Sequence, residues 1–116
     1  MTEEDEDRDR LLREVAETLT RRSALTDAAA ATEAAREWIA KGFDDAEEVA
    51  EWLDAGCGTA AEARRLDDAG ITPGQAAMRT TDGPGGAEDT LARKLARGEL
   101  SLAEVRRHIT REFWRD

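Results

Sequence analysis

The sequence predicts an all-α protein: an array of short capped helices on a 14-residue repeat, with an N-terminal helix before it and a C-terminal helical hairpin after it. Three observations predict this. Apolar residues recur at helical spacing from Leu11 onward. A large apolar residue stands four positions before a glycine, and another apolar residue directly after it, three times at an interval of 14 residues. Each of those glycines is followed by a helix-start signal.

The first helix is expected from about Glu4 to Arg22, where Leu11, Leu12, Val15, Ala16 and Leu19 share one face. Its acidic start suits a helix N-terminus, whose unpaired N–H groups favour negative charge. The first few residues should fray. A second helix, capped by Thr26 or Asp27, runs through Thr32, Ala35 and Trp38 to Lys41.

The repeat then carries the middle of the chain. Trp38-Ile39-Ala40-Lys41-Gly42-Phe43 is followed by Trp52-Leu53-Asp54-Ala55-Gly56-Cys57 and by Leu66-Asp67-Asp68-Ala69-Gly70-Ile71. With glycine at C′, the left-handed position just past a helix end, the residue four before it is C3 and the residue after it is C″. A Schellman cap brings those two into apolar contact. The spacing therefore predicts contacts of Trp38 with Phe43, Trp52 with Cys57 and Leu66 with Ile71. Asp44-Asp45-Ala46-Glu47, Thr59-Ala60-Ala61-Glu62 and Thr72-Pro73-Gly74-Gln75 read as capping boxes or close variants, and Pro73 suits a first helical position. A 14-residue period is also two heptads, so one continuous coiled coil competes. Gly42, Gly56, Gly58, Gly70 and Pro73 argue against it.

Asp82-Gly83-Pro84-Gly85-Gly86 reads as a flexible connector, dividing the chain into residues 1–79, a linker 80–88 and a C-terminal hairpin 89–116, with one compact domain as the alternative. In the hairpin, Asp89 should cap a short helix with Leu91 and Leu95 inward and Gly98 ending it. Ser101 and Glu104 form the next capping box, Leu100 and Val105 a hydrophobic staple, and Leu102, Val105, Ile109 and Phe113 an inward stripe. Arg97-Gly98-Glu99-Leu100-Ser101-Leu102-Ala103-Glu104-Val105 resembles the short C-terminal helical hairpins called SHOCT domains, and Ala69-Gly70-Ile71-Thr72-Pro73 looks similar with one residue missing. The resemblance covers about 25 residues at the C-terminus. It implies an oligomerisation or docking hairpin rather than an activity.

Composition bounds the rest. The chain has 116 residues, one domain's worth. Twenty-two are alanine, and Leu, Ile, Val and Phe number only 18. A share that low, below ~20% with high net charge, warns of disorder, but alanine is the strongest helix former and lets helices approach closely. A thin core and modest stability are expected, with a partner or a second copy completing it. No apolar run reaches the ~18 residues of a membrane span, and the acidic opening is unlike a secretory signal. With a lone cysteine, Cys57, the location expected is cytoplasmic. The net charge is −10: residues 1–90 hold 23 acids and 10 bases, residues 91–116 hold 4 acids and 7 bases. The acidic bulk favours basic partners and repels nucleic acid and anionic membrane.

Catalytic chemistry finds no foothold. One histidine and one cysteine cannot build a zinc site without many carboxylates. His108, four residues from Glu104 and from Glu112, reads as a surface histidine paired with acids, and Cys57 as a small hydrophobe. Of the two serines, Ser23 and Ser101, the second is a cap. Paired carboxylates such as Asp67/Asp68 read as a solvated face. No phosphate loop or calcium loop matches. The expectation is therefore no enzyme, no cofactor, no metal and no small-molecule substrate.

The leading functional reading is a non-enzymatic acidic protein–protein interaction module: an adaptor, a regulator or a self-assembling unit. Its candidate contact residues are Phe113, Trp114, Arg107, Arg111 and Arg115 on the aromatic and basic C-terminal helix, and an acidic face of Asp44, Asp45, Glu47, Glu48, Glu51 and Asp54. The partner is another protein, preferably basic, or a second copy. The alternative is a nucleic-acid-mimic inhibitor of a DNA-binding complex, of the anti-restriction or anti-CRISPR kind, with Glu62, Asp67 and Asp68 extending the carboxylate track. A DNA-binding regulator using the last helix ranks third, because the whole-molecule charge opposes it.

Overall fold

A computed structural model describes residues 3–22 and 27–113, with backbone alone at Glu4 and Phe113. Among the described residues the fold is all-α: α1 Glu3–Arg22, α2 Ala28–Ala40, α3 Ala46–Ala55, α4 Ala60–Asp68, α5 Pro73–Ala76, α6 Leu91–Ala96 and α7 Leu102–Phe113. Two-residue strands β1 Arg79–Thr80 and β2 Asp89–Thr90 pair antiparallel between α5 and α6, Arg79 opposite Thr90 and Thr80 opposite Asp89.

The glycine clasps organise the middle of the chain. Gly42, Gly56 and Gly70 have φ of 95°, 108° and 80°, a region that costs an ordinary L-residue steric strain. Behind each, the C″ amide returns to the C3 carbonyl: Phe43 N–H to Trp38 O at 3.1 Å, Cys57 to Trp52 at 3.0 Å, Ile71 to Leu66 at 3.0 Å. The glycine amides donate to the carbonyls of Ile39, Leu53 and Asp67, each at 3.0 Å. This is the Schellman pattern. The chain repeats it a fourth time at Gly98 (φ 75°), where the Glu99 amide reaches the Lys94 carbonyl at 2.9 Å and the Gly98 amide that of Leu95 at 3.0 Å. Lys94 stands 28 residues after Leu66, two full intervals of the repeat.

The start signals act as read except at α3, where Asp45 caps without a reciprocal box, and at α6. Asp27 and Asp45 accept the amides of Ala29 and Glu47. Thr59 with Glu62, Thr72 with Gln75, and Ser101 with Glu104 form reciprocal capping boxes. At α6 the cap is Thr90, whose hydroxyl accepts the Arg93 amide, and not Asp89 as expected. Asp89 lies one residue too early for that bond. Its carboxylate instead meets Arg97 at 2.8 Å and Arg93 at 3.3 Å.

The core follows from the clasps. Trp38, Phe43, Trp52, Cys57, Leu66 and Ile71 are all buried. Phe43 meets Trp38 edge-on at 5.0 Å between ring centroids and Trp52 at 6.5 Å, so the first clasp leans on the second. An aromatic side chain buries ~150–250 Å², worth about 4–6 kcal/mol at ~25 cal/mol per Å². Val15 and Leu19 pack from α1, and Leu91, Leu95, Leu100, Val105 and Ile109 from the hairpin. Buried Ala31, Ala35, Ala60, Ala63, Ala76 and Ala92 let helix backbones approach closely. The first turns of α1 extend past this core, with Glu3 and residues 5–10 exposed.

Gly56 and Gly70 separate two costs of adding a methyl group. Nothing stands within 4 Å of a Cβ built at Gly70, whereas at Gly56 it would strike the Arg93 side chain and sit 3.0 Å from the Thr90 hydroxyl. Gly70→Ala is expected to lose about 1–2 kcal/mol, the backbone strain alone. Gly56→Ala should lose more. Urea titrations of the two variants give the order, and equal losses would contradict this account.

Candidate functional site

The acids of the repeat helices are the first candidates, and their fates differ. Asp45 is spent as the α3 cap. Glu48, half-buried, accepts the Trp52 indole N–H at 3.4 Å. Asp54 pairs with Arg22 of α1. Glu62 closes its capping box, and Arg64 bridges Asp67 at 3.3 Å and Asp68 at 3.0 Å. Asp44, Glu47 and Glu51 are exposed, with no side-chain ion pair to any described residue. The acidic face thus comes down to three open carboxylates: Glu47 and Glu51 on α3, one helical turn apart, and Asp44 just before its cap.

On α7, Arg107 is exposed and lines an open groove of about 630 Å³ with Gly83, Leu100, Glu104, Arg106 and Thr110. Arg111 reaches away from the helix to Asp82, its Nη2 donating at 2.9 Å. Trp114, Arg115 and the Phe113 side chain lie outside the described residues.

A cluster that the sequence does not bring together gathers around Asp82. His108 is 8% exposed rather than a surface residue. Its Nδ1 lies 3.3 Å from the Asp82 carboxylate, a partner that the helical spacing to Glu104 and Glu112 does not reveal. Local spacing offered those two acids, but the helix turns His108 toward the 80–88 stretch. The Lys94 side chain is fully buried, and its ammonium donates to the Asp82 backbone carbonyl. Asp82 therefore accepts on both its carbonyl and its carboxylate, from α6 and α7. Arg79 of β1 and Glu88 just before β2 pair across the ends of the 80–88 stretch at 2.8 Å. Arg79, Thr80, Asp82, Glu88, His108 and Arg111 line an open cleft of about 730 Å³. No local signal marks Lys94 as a tether, although its register with Trp38, Trp52 and Leu66 could have marked it as buried.

The electrostatics fit this arrangement. Hydrogen bonds from Arg111 and then His108 hold the Asp82 carboxyl below its ordinary range. Arg97 first, then the Thr90 amide, hold Asp89 at about 2. Burial, helped by Glu62, pushes the Cys57 thiol up to about 12, so it is protonated at neutral pH and a poor nucleophile. Among the described residues no three His, Cys, Asp or Glu side chains converge where they could hold a metal ion, and no helix is long and apolar enough to cross a membrane. The chain matches no family model, no curated protein and no solved structure.

Two expectations follow. The folded pKa values of Asp82 and Asp89 lie below the unfolded value of 3.8. Their stabilisation is then present above about 4 and lost as pH falls toward about 2. Thermal melts of wild type should fall more steeply over that window than those of Asp89→Asn, and parallel curves would refute the assignment. Lys94→Met keeps most of the buried volume but leaves the Asp82 carbonyl without its ammonium donor. Amide exchange at residues 81–88 should rise at least ~10-fold, the equivalent of about 1.4 kcal/mol in local opening, with helix content unchanged. Unaltered exchange there would mean that Lys94 does not tether the loop.

Proposed function

We propose that this chain is a non-enzymatic acidic interaction module of the cytoplasm, docking a partner protein of basic surface through the open carboxylates of α3. The observation that carries this reading is the division of the acids. Glu47 and Glu51 on α3 and Asp44 just before its cap stay exposed with no ion pair to any described residue, while Trp52 and Val49 of that helix are fixed in the core. A charged face on a rigid, buried element presents its carboxylates at defined spacing, which steers and orients a complementary partner. The hairpin α6–α7, with Arg107 exposed, is a second docking element of the kind the SHOCT resemblance implies.

The same division favours this reading over a nucleic-acid mimic. A phosphate track repeats its charge without interruption, whereas Asp54, Asp67 and Asp68 are neutralised by arginines and Asp45 and Glu62 are engaged at helix starts.

Capture from host extract on immobilised wild type and on Glu47→Lys/Glu51→Lys tests the proposal. The wild-type protein should retain a basic partner that ~0.5 M salt releases. The variant should bind it at least ~10-fold more weakly, about 1.4 kcal/mol. Equal capture by both proteins would overturn the assignment to α3. A partner displaced by duplex DNA in proportion to DNA concentration would favour the mimic.

A further inference from the structure

We propose that the outward face of α1 docks a second copy of the chain, antiparallel, through a charge ridge that is complementary to itself. This goes beyond the α3 reading and rests on α1, whose Glu17 and Arg21 border the groove that Glu47 lines from the α3 side.

Asp9, Arg13, Glu17 and Arg21 follow one another at intervals of four residues and form one ridge of the helix. Arg13 and Glu17 each stand two residues from Val15, about 200° around the helix from it. Val15 is fully buried, and all four charged residues are exposed. Their signs alternate. Neighbours at this spacing can pair within a helix, as Arg10 and Asp7 of α1 do three residues apart at 3.8 Å. The four ridge residues have no ion pair with any described residue.

A twofold axis passing between Arg13 and Glu17 sets Arg13 against the partner's Glu17, and Asp9 against the partner's Arg21. Symmetry repeats both pairs, and every contact along the ridge is then of opposite sign. Sliding the partner by one ridge step in either direction sets arginine against arginine or acid against acid. Parallel alignment in register does the same at every position. The charge sequence therefore favours this register, the one alignment that gives all four ridge residues an oppositely charged partner, as alternating interhelical charges do elsewhere. Identical four-residue ridges pack with their axes crossed at about −50°. Beside the ridge, half-buried Leu12 and Ala16 with Ala28 and Ala31 of α2 line an open groove of about 540 Å³, and association would cover this apolar surface. Exposed ion pairs are individually weak, so the groove supplies affinity and the ridge supplies register.

Light scattering and sedimentation equilibrium on the full chain test this. Wild type should dimerise reversibly at ~50 mM salt and less at ~0.5 M. Arg13→Glu or Glu17→Arg alone makes both central pairs like-charged and should weaken the dimer at least ~10-fold. The double variant restores opposite signs and should recover it. Mixing the two single variants should yield a heterodimer, because every central pair is again complementary. Circular dichroism confirms that each variant folds. A wild type that stays monomeric at about 1 mM, near the weakest measurable association, overturns the proposal. So do single variants that dimerise like wild type, or a double variant that does not recover. Glu51→Lys, outside the groove that Glu47 shares with Glu17 and Arg21, should leave the dimer intact, so a failure here and a failure of the α3 reading are told apart.

Discussion

The left-handed glycine after each short helix, with the bond it forces from the C″ amide to the C3 carbonyl, is the constraint on which the rest of the structure depends. Helices of 9, 10 and 13 residues, the lengths of α4, α3 and α2, are marginal alone because nucleation costs more than a few turns return. Each is closed at its C-terminus by a glycine turn and restarted within two or three residues by a side-chain cap. The turn also decides what is buried, because it sets the C3 side chain against the one beyond the glycine. Phe43 is both the C″ residue of the first clasp and a ring neighbour of Trp52, the C3 residue of the second. The first two clasps thus share a core contact, so loosening one exposes the other.

This chemistry is local, and that is why so much of it was legible in the sequence. A glycine requirement, a Thr or Asp cap and a Glu or Gln three residues on are all settled within about six residues. The contacts of Trp38 with Phe43 and the boxes at Thr59, Thr72 and Ser101 could be read directly. The cap at α6 was displaced by one residue because Asp89 and Thr90 are both good caps, and strand pairing sets which one precedes the first turn. His108 was misread for the opposite reason. Its nearest acids along the helix are Glu104 and Glu112, while the acid it meets lies 26 residues back in the chain. Periodicity says nothing about such a partner.

The charge of the candidate surfaces makes the same point energetically. A net charge of −10 describes the whole molecule, but acids without a structural duty are the ones free to turn toward a partner. Helix starts consume Asp27, Asp45, Glu62 and Glu104, and arginines neutralise Asp54, Asp67, Asp68, Asp82 and Asp89. In an array of short helices the demand for caps is high, so part of the acidity is a folding requirement rather than a binding signal. The exposed remainder on α3 and the alternating ridge on α1 are where sign and spacing still need a reason.

Lys94 joins these threads. Buried lysine is rare because its ammonium must keep a hydrogen-bond partner, yet the fourth clasp places it where the others place tryptophan or leucine. Its four-carbon stem can fill that space as an apolar chain does, and its amine then reaches the Asp82 carbonyl beyond the helix. The position that closes α6 therefore also holds the loop that precedes it. Asp82 answers on its other side to Arg111 and His108 of α7. One residue of a glycine-rich loop thus couples both helices of the hairpin to the β1–β2 turn. A leucine at position 94 would satisfy the clasp equally well and leave the Asp82 carbonyl without its ammonium donor. The choice of lysine there follows from the loop and not from the repeat.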